Sequence, residues 1–424
     1  MRTLCFLLAP ALILAAQSGP KERIKNIRDL SKKAGSGALT ELAGYLKDPD
    51  DEVRRDAVKS IASIGTQQSL TPLVEASRDH DEEILIRTTD GLVNFYYPGY
   101  AQTGLSGSLR RIGKGIKGRF TDTNDQIIEP YIEVRPDVID AIRRLLREGP
   151  SIDVKANAAR SLGVLRASQA SGDLLQAVRS KETQLLYESL VALQKIRDPE
   201  TAKGIAFLLN DLNERVQISA LETTGLLRNQ SALPDLKEAL GRARNDRIRA
   251  AALGSIAMMP DDSCRALFET YRNDRDDDVR AAAAEGYARL KNPSVMDSLV
   301  KMFEAETKPK PRLGFAFAAV ANGKREMTEF SPLAYLLNSL NSASYRGIAA
   351  AYLEELARDK AIREALYPNI PLRTKAEKLA LCPIFARSGD ESTIPVLESL
   401  TRDAEVEVNH VAARSLRNLK ARLP

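Results

Sequence analysis

The sequence predicts an all-α protein: an α-solenoid whose antiparallel helix pairs stack into a superhelix. Three observations carry this. Between Asp274 and Thr307, the residues Val279, Ala283, Tyr287 and Leu290 recur at spacings of 4, 4 and 3, the 3.6-residue period of a helix face and not a strand's period of two. The same unit returns along the chain on a ruler of about 31 residues, and a helix pair of that size cannot bury its apolar face without a neighbour. The composition also favours helix, since aromatic residues make up 5% and there is no Trp.

Arg2 precedes the apolar run Leu4–Ala16, which is short for a membrane span and fits a secretory signal. Small residues at Ala16 and Ser18 place cleavage after Ser18, and losing Arg2 lowers the net charge from +5 to +4. The expectation is a soluble protein exported to the periplasm or the exterior. Cys264 and Cys382 then remain, far apart in sequence. They read as separate buried thiols, because a long helical array does not need the disulfides that hold small secreted domains together.

Residues 19–47 form two short amphipathic helices that cap the array, with a turn at Gly35-Ser36-Gly37. The first clear unit sets its apolar positions at offsets 0, 4, 8 and 11: Val53, Ala57, Ile61 and Ile64. Ile84 opens the next, and anchors at Val154, Leu185, Val216, Ile248 and Val279 follow one another at 31, 31, 32 and 31 residues. Val408 resumes the pattern. The offset-4 residue is small in every unit, which lets a neighbouring helix approach, while the offset-8 and offset-11 residues fill the layer. An acidic run before each anchor supplies the N-cap and suits the positive end of the helix dipole. Pro72, Pro234 and Pro395 stand early in second helices, where a missing N–H is tolerated.

These residues resemble the HEAT-like repeats of the bilin-lyase type, whose pattern is an acidic residue, Val-Arg, then Ala four positions past the Val. Asp277, Val279, Arg280 and Ala283 match it, as do Glu52, Val53, Arg54 and Ala57. The resemblance runs from about Asp48 to the C-terminus, weakly across 99–150 and 308–370. It implies an α-solenoid whose relatives mostly bind proteins, some being bilin lyases and a distant group DNA glycosylases. It carries no catalytic residue onto this chain. The resulting division is 1–18 signal peptide, 19–47 capping helices, 48–98 repeats, 99–150 a Gly-rich basic insertion plus a helix, 151–307 regular repeats, 308–370 irregular helical repeats and 371–424 closing repeats and cap. Lys308-Pro309-Lys310-Pro311 marks a break after which longer, less regular helices are expected. Ala376, Ala380 and Ile384 restore the register.

Little in the chain reads as chemistry. Asp274, Asp276, Asp278 and Glu285 imitate a calcium loop, but Val279 stands where the sharp turn needs Gly, so the cluster reads as a helix cap. Asp122, Asn124 and Asp125 form a second polar cluster, read as a turn. The two histidines, His80 and His410, have no partner in sequence for a zinc site. No nucleophile, metalloprotease, phosphate-loop or dinucleotide motif occurs. No enzyme activity, metal or cofactor is expected. The competing reading is an envelope enzyme or lyase-like protein with a pocket where the insertion joins the first two repeats.

The insertion is the exception. Arg110, Arg111, Lys114, Lys117 and Arg119 fall within ten residues, interleaved with Leu109, Ile112, Ile116 and Phe120, and no acid occurs between Thr103 and Thr121. Tyr96, Tyr97 and Tyr100 stand beside them, a residue type suited to interfaces. These eight positions are the expected partner-binding residues. The expected role is a non-catalytic scaffold for a protein partner, with contact to an anionic membrane or envelope polymer through the basic loop as the alternative. Nucleic acid is disfavoured, since the cations are confined to one loop and there is no Trp to stack on bases.

Overall fold

The computed structural model describes residues 19–33, 36–100, 126–129 and 131–423, in which there are 23 α-helices and no strand. The chain divides between Thr201 and Ala202 into two compact units. The first holds α1 (Pro20–Lys33), α2 (Ser36–Gly44), α3 (Asp51–Ile64), α4 (Leu70–Ala76), α5 (Glu82–Tyr96), α6 (Pro136–Glu148), α7 (Ile152–Val164), α8 (Ser171–Ala177) and α9 (Thr183–Ile196). The second holds α10 (Ala202–Ile205), α11 (Glu214–Leu227), α12 (Leu233–Gly241), α13 (Asp246–Ala257), α14 (Arg265–Tyr271), α15 (Asp277–Leu290), α16 (Met296–Ala305), α17 (Pro309–Ala321), α18 (Pro332–Asn338), α19 (Arg346–Leu356), α20 (Lys360–Leu366), α21 (Lys375–Ser388), α22 (Ile394–Leu400) and α23 (Val406–Arg422).

Each unit is a solenoid segment built by one rule. Odd-numbered helices pack side by side, α1 on α3 through to α9 in the first unit and α11 on α13 through to α23 in the second. Shorter even-numbered helices lie against them, as α4 does on α5, α6 on α7 and α14 on α15. The offset-4 column explains the close approach of the odd helices: Ala57, Thr88, Ala158, Ser189, Ala220, Ala252, Ala283 and Ala412 have no exposed surface at all. A second small column at offset 7 completes the contact. A Cβ added at Gly163 would lie 2.7 Å from the Ala192 Cα, and one at Gly225 would lie 2.7 Å from the Ser255 Cα, so these helices touch backbone to backbone.

The caps refine the sequence expectation. Side chains three residues before the anchor do accept the amide of the anchor, but they are Asp50, Asp81, Ser151, Asn213, Asn245 and Asp276. The need is for a short oxygen-bearing side chain and not for charge. Asp276 is thus engaged with the Asp278 and Val279 amides as a cap. At the other end of the odd helices, offset 12 takes the left-handed conformation in Gly65, Arg166, Arg197, Arg228 and Lys291. Four of the five are cations, a charge that suits the negative end of the helix dipole.

Three expectations are corrected. Residues 136–148 are not part of an insertion: α6 is the even helix of the repeat that α5 begins, packed on α7 and α4. Only 97–135, 39 residues, separate the two helices of that repeat. Between Lys308 and residue 370 the helices are not longer, at 7 to 13 residues, and the Pro-rich run is the start of α17, with Pro309 at its first position. Register is kept there by Pro311, Phe315, Ala319 and Asn322, all buried, but large and small residues have exchanged columns. In α21 the repeat register falls on Glu377, Leu381, Phe385 and Ser388, all buried, one residue past Ala376 and Ala380, which are half-buried, while Ile384 is buried as expected. A carboxylate serves as anchor because it accepts from the Thr374 amide at 2.8 Å and Asn341 Nδ2 at 3.0 Å.

Candidate functional site: a groove where a rung is missing

Charged side chains link successive repeats in a recurrent way. The residue after the anchor reaches an acid five residues before the next anchor: Arg54 Nε donates to Asp79 at 2.8 Å, Arg280 Nε to Glu306 at 2.8 Å, and Lys378 Nζ to Asp403 at 2.8 Å. The arginines also donate to the carbonyls that end the preceding turn, Asp48 for Arg54 and Asp274 for Arg280. Such a rung fills the space between an odd helix and the next inter-repeat turn. Burial would raise the Asp79 carboxyl, but the bonds from Arg54 and from the Asp81 and His80 amides hold it below the usual carboxylate range.

The repeat made of α5 and α6 lacks this rung, as do those whose corresponding positions are Lys155 and Ser180, Leu186 and Asp211, and Gln217 and Ala243. Its two positions are Leu85 and Gly149, and both line a groove of about 650 Å³ together with Ser77–His80, Arg144, Glu148 and Pro150. Gly149 has no room for a side chain, since a Cβ there would lie 2.5 Å from the Leu145 carbonyl oxygen. From α6, Arg144 crosses the gap and donates from Nη2 to Ser77 Oγ at 2.7 Å. Among the described residues neither Arg144 nor Arg78 forms an ion pair with a carboxylate. Burial, and then the neighbouring Arg78 charge, push the Arg144 guanidinium below the ordinary arginine value. The site sets Arg78 and Arg144 beside Asp79 and Glu148, is half-enclosed and is built of repeat helices.

The residues singled out in the sequence meet a different placement. Arg110, Arg111, Lys114, Lys117 and Arg119 lie outside the described residues, as do Asp122, Asn124, Asp125 and the 1–18 segment. Tyr96 and Tyr100 are buried and Tyr97 is half-buried. Tyr96 packs edge-on against Phe95 with ring centroids 4.9 Å apart, and its hydroxyl accepts the Arg135 amide at 3.1 Å. An interface role for Tyr96 and Tyr100 as exposed rings is therefore corrected: they fasten the two ends of the 97–135 segment to the core. The return leg is fixed as well, with the Ile128 amide on the Val164 carbonyl at 3.0 Å and Lys195 Nζ on the Gln126 carbonyl at 3.2 Å. These attachments stand at the C-terminal end of α5, whereas the groove is at its N-terminal end, roughly 22 Å along a 15-residue helix.

Sequence reasoning placed a pocket where the insertion meets the first two repeats, and the groove does fall there by residue number. Its lining carries two arginines, a histidine and two acids, Asp79, which Arg54 binds, and Glu148. A second polar cluster, in the other unit, ties α15 to α19: Arg289 Nε donates to Glu355 at 3.0 Å and Tyr352 Oη to Glu285 at 2.6 Å. Its groups satisfy one another, which is a structural role. Among the described residues no group of three His, Cys, Asp or Glu is placed to hold a metal ion, and no helix is long and apolar enough to cross a membrane. Cys264 and Cys382 are buried free thiols, and burial pushes Cys382 up to about 12.

Comparison with known proteins follows the architecture. No curated protein matches the sequence. An engineered protein in a structural-genomics crystal structure is 19% identical with a TM-score of 0.38, covering 90% of this chain and 98% of its own. Kap121p bound to Ste12p is 14% identical with a TM-score of 0.44, covering 99% of this chain and 57% of that one, and a Kap121p mutant is 12% identical at 0.39, covering 91% and 46%. The chain thus spans about half the length of Kap121p. The family model for HEAT repeats matches residues 9–92 and 201–288.

Proposed function

We propose that the chain is a non-catalytic repeat scaffold that binds a protein partner in the cell envelope, after export and loss of residues 1–18. One observation supports this reading above the others. The 97–135 segment interrupts a single repeat at the turn between its helices, yet α5 and α6 still pack on α7 as their counterparts do elsewhere. The fold does not need the added chain, and long insertions that emerge from one edge of a repeat array are commonly used for binding. The five cations Arg110, Arg111, Lys114, Lys117 and Arg119 belong to that segment.

The test is affinity capture from an envelope fraction with the full chain and with a variant in which the five cations are reversed to Glu. A protein retained by the first and lost by the second supports the reading, with the loss largest at low salt, because exposed charges are screened beyond roughly 10 Å at about 0.1 M. Anionic vesicles form the second arm. Vesicle binding that vanishes on charge reversal, with no protein captured by either chain, would replace the protein partner by a membrane surface. Recovery of the chain in the cytoplasm with residues 1–18 intact would remove the export step.

A further inference from the structure

We infer that the groove at the missing rung takes acidic side chains of an extended protein segment, with Arg78 and Arg144 as its carboxylate-binding pair. This rests on the reading of the chain as a protein-binding scaffold and adds a site at the opposite end of α5 from Tyr97–Tyr100.

The argument begins from the rung. Where Arg54 meets Asp79, or Arg280 meets Glu306, the guanidinium and its carboxylate occupy the gap themselves. At Leu85 and Gly149 neither partner exists, so a cavity of about 650 Å³ is left, within the roughly 300–1,000 Å³ usual for ligand sites. Two cations face it that form no ion pair among the described residues, although Glu148 stands in the same lining. Only Nη2 of Arg144 is engaged, by Ser77, and the exposed Arg78 makes no ion pair among the described residues. Asp79 cannot neutralise them, because its oxygens already accept from Arg54, the His80 amide and the Asp81 amide. An incoming carboxylate would restore the charge pairing that the other rungs build internally, and guanidinium groups bind carboxylates through paired N–H donors.

The same lining selects a peptide over other anions. Asp79 and Glu148 share the groove with the arginines, so a dianionic phosphate meets about twice the repulsion that a single carboxylate does. A bilayer surface is flat and does not enter a concave gap between helices. Leu85, Leu145 and Pro150 give the walls apolar surface for the aliphatic stems of Glu side chains.

The experiment uses the purified full chain and a fluorescein-labelled peptide of alternating Glu and Ala, with the Gln–Ala peptide, inorganic phosphate and phosphatidylglycerol vesicles as the other probes. The Glu peptide should bind and the Gln peptide should not, and R78Q and R144Q should each weaken binding roughly tenfold, the scale of a charge-assisted hydrogen bond. R78Q changes an exposed side chain and so guards against a folding defect in R144Q, while K59Q, on an exposed lysine away from the groove, should bind as the parent does. Unchanged peptide affinity in the R78Q/R144Q double variant would overturn the inference, and so would vesicle or phosphate binding that the peptide does not match. A captured envelope protein that R78Q retains overturns the groove and leaves the scaffold reading standing. Peptide binding lost in R78Q, in a chain that captures no protein, supports the carboxylate site and removes the scaffold reading.

Discussion

Two consecutive inter-repeat turns behave in opposite ways. In the turn between α4 and α5, Arg54 reaches Asp79, and both side chains are mostly buried, with relative exposures of 18% and 12%. In the turn between α6 and α7 the corresponding positions are Leu85 and Gly149, and a groove opens. The helices on either side pack by the same rule, so the backbone plan does not decide between a sealed turn and a site. Between these two turns the difference is one ion pair: where Arg54 meets Asp79 the gap is filled, and where the pair is absent Arg78 and Arg144 line a groove.

Removing a rung should therefore cost more than removing anything from the groove. Arg54→Leu strands Asp79 in a partly buried place, and the expected loss is about 2–3 kcal/mol, below the roughly 3–5 kcal/mol of a fully buried pair because some solvent remains. Arg144→Gln gives up one bond to a neutral Ser77, about 1 kcal/mol, and Arg78→Gln should be close to neutral. Urea denaturation of the three variants checks the order. Equal losses for Arg54→Leu and Arg144→Gln would mean that the two turns are held in the same way after all.

Acid separates the turns again. The Asp79 carboxyl is held below its ordinary value in the folded chain, so the unfolded chain takes up the proton first as pH drops. Its contribution is fully present above the unfolded value of about 3.9 and is lost as pH falls through the lower folded value. Asp81, held down by Arg55, and Asp403, held down by Lys378, act in the same direction. Thermal unfolding should be nearly flat from neutral pH to about 5 and should weaken steeply below about 4. Arg54→Leu should make that fall shallower. Gly149 has nothing to titrate, so Arg144→Gln should leave the acid limb of the parent unchanged.

The fold was legible in the sequence wherever residue size tracked the column. Val53, Ala57 and Ile61, or Val279, Ala283 and Tyr287, announce their places because anchor, small residue and filler alternate. The rule failed where a different side chain solved the same packing problem. Phe315 in a small column, and Glu377 as an anchor satisfied by Thr374 and Asn341, are invisible to apolar periodicity. The assignment of α6 failed for another reason: 39 intervening residues hide the pairing of two helices that are neighbours in space. The groove was least legible, since it depends on a rung that is absent. A cue did exist in Leu85 and Gly149, which stand where Arg54 and Asp79 stand one repeat earlier, but the spacing rule had been read for apolar residues alone.

The smallest expected effect lies in the caps of the same two turns. Asp81 caps α5 through the Ile84 amide at 3.0 Å and also pairs with Arg55. Ser151 caps α7 through the Val154 amide at 3.4 Å, with no second role. Replacing a cap by Ala costs about 0.5–2 kcal/mol in general, and a long bond from a neutral hydroxyl belongs at the low end. Ser151→Ala should thus shift the urea midpoint by no more than about 0.5 kcal/mol in stability, whereas Asp81→Ala should exceed it, because it frees both an amide and a guanidinium. Ser151→Asp provides the converse: a carboxylate at the positive end of α7 gains from the helix dipole by about 0.3–1 kcal/mol. The same substitution adds an anion beside the groove that Arg144 lines, so it should also lower affinity for the Glu peptide slightly, an effect that salt removes. If Ser151→Ala proves as costly as Asp81→Ala, the turn beside the groove is under tension that its missing rung fails to relieve, and the groove is a weak point in the stack before it is a binding site.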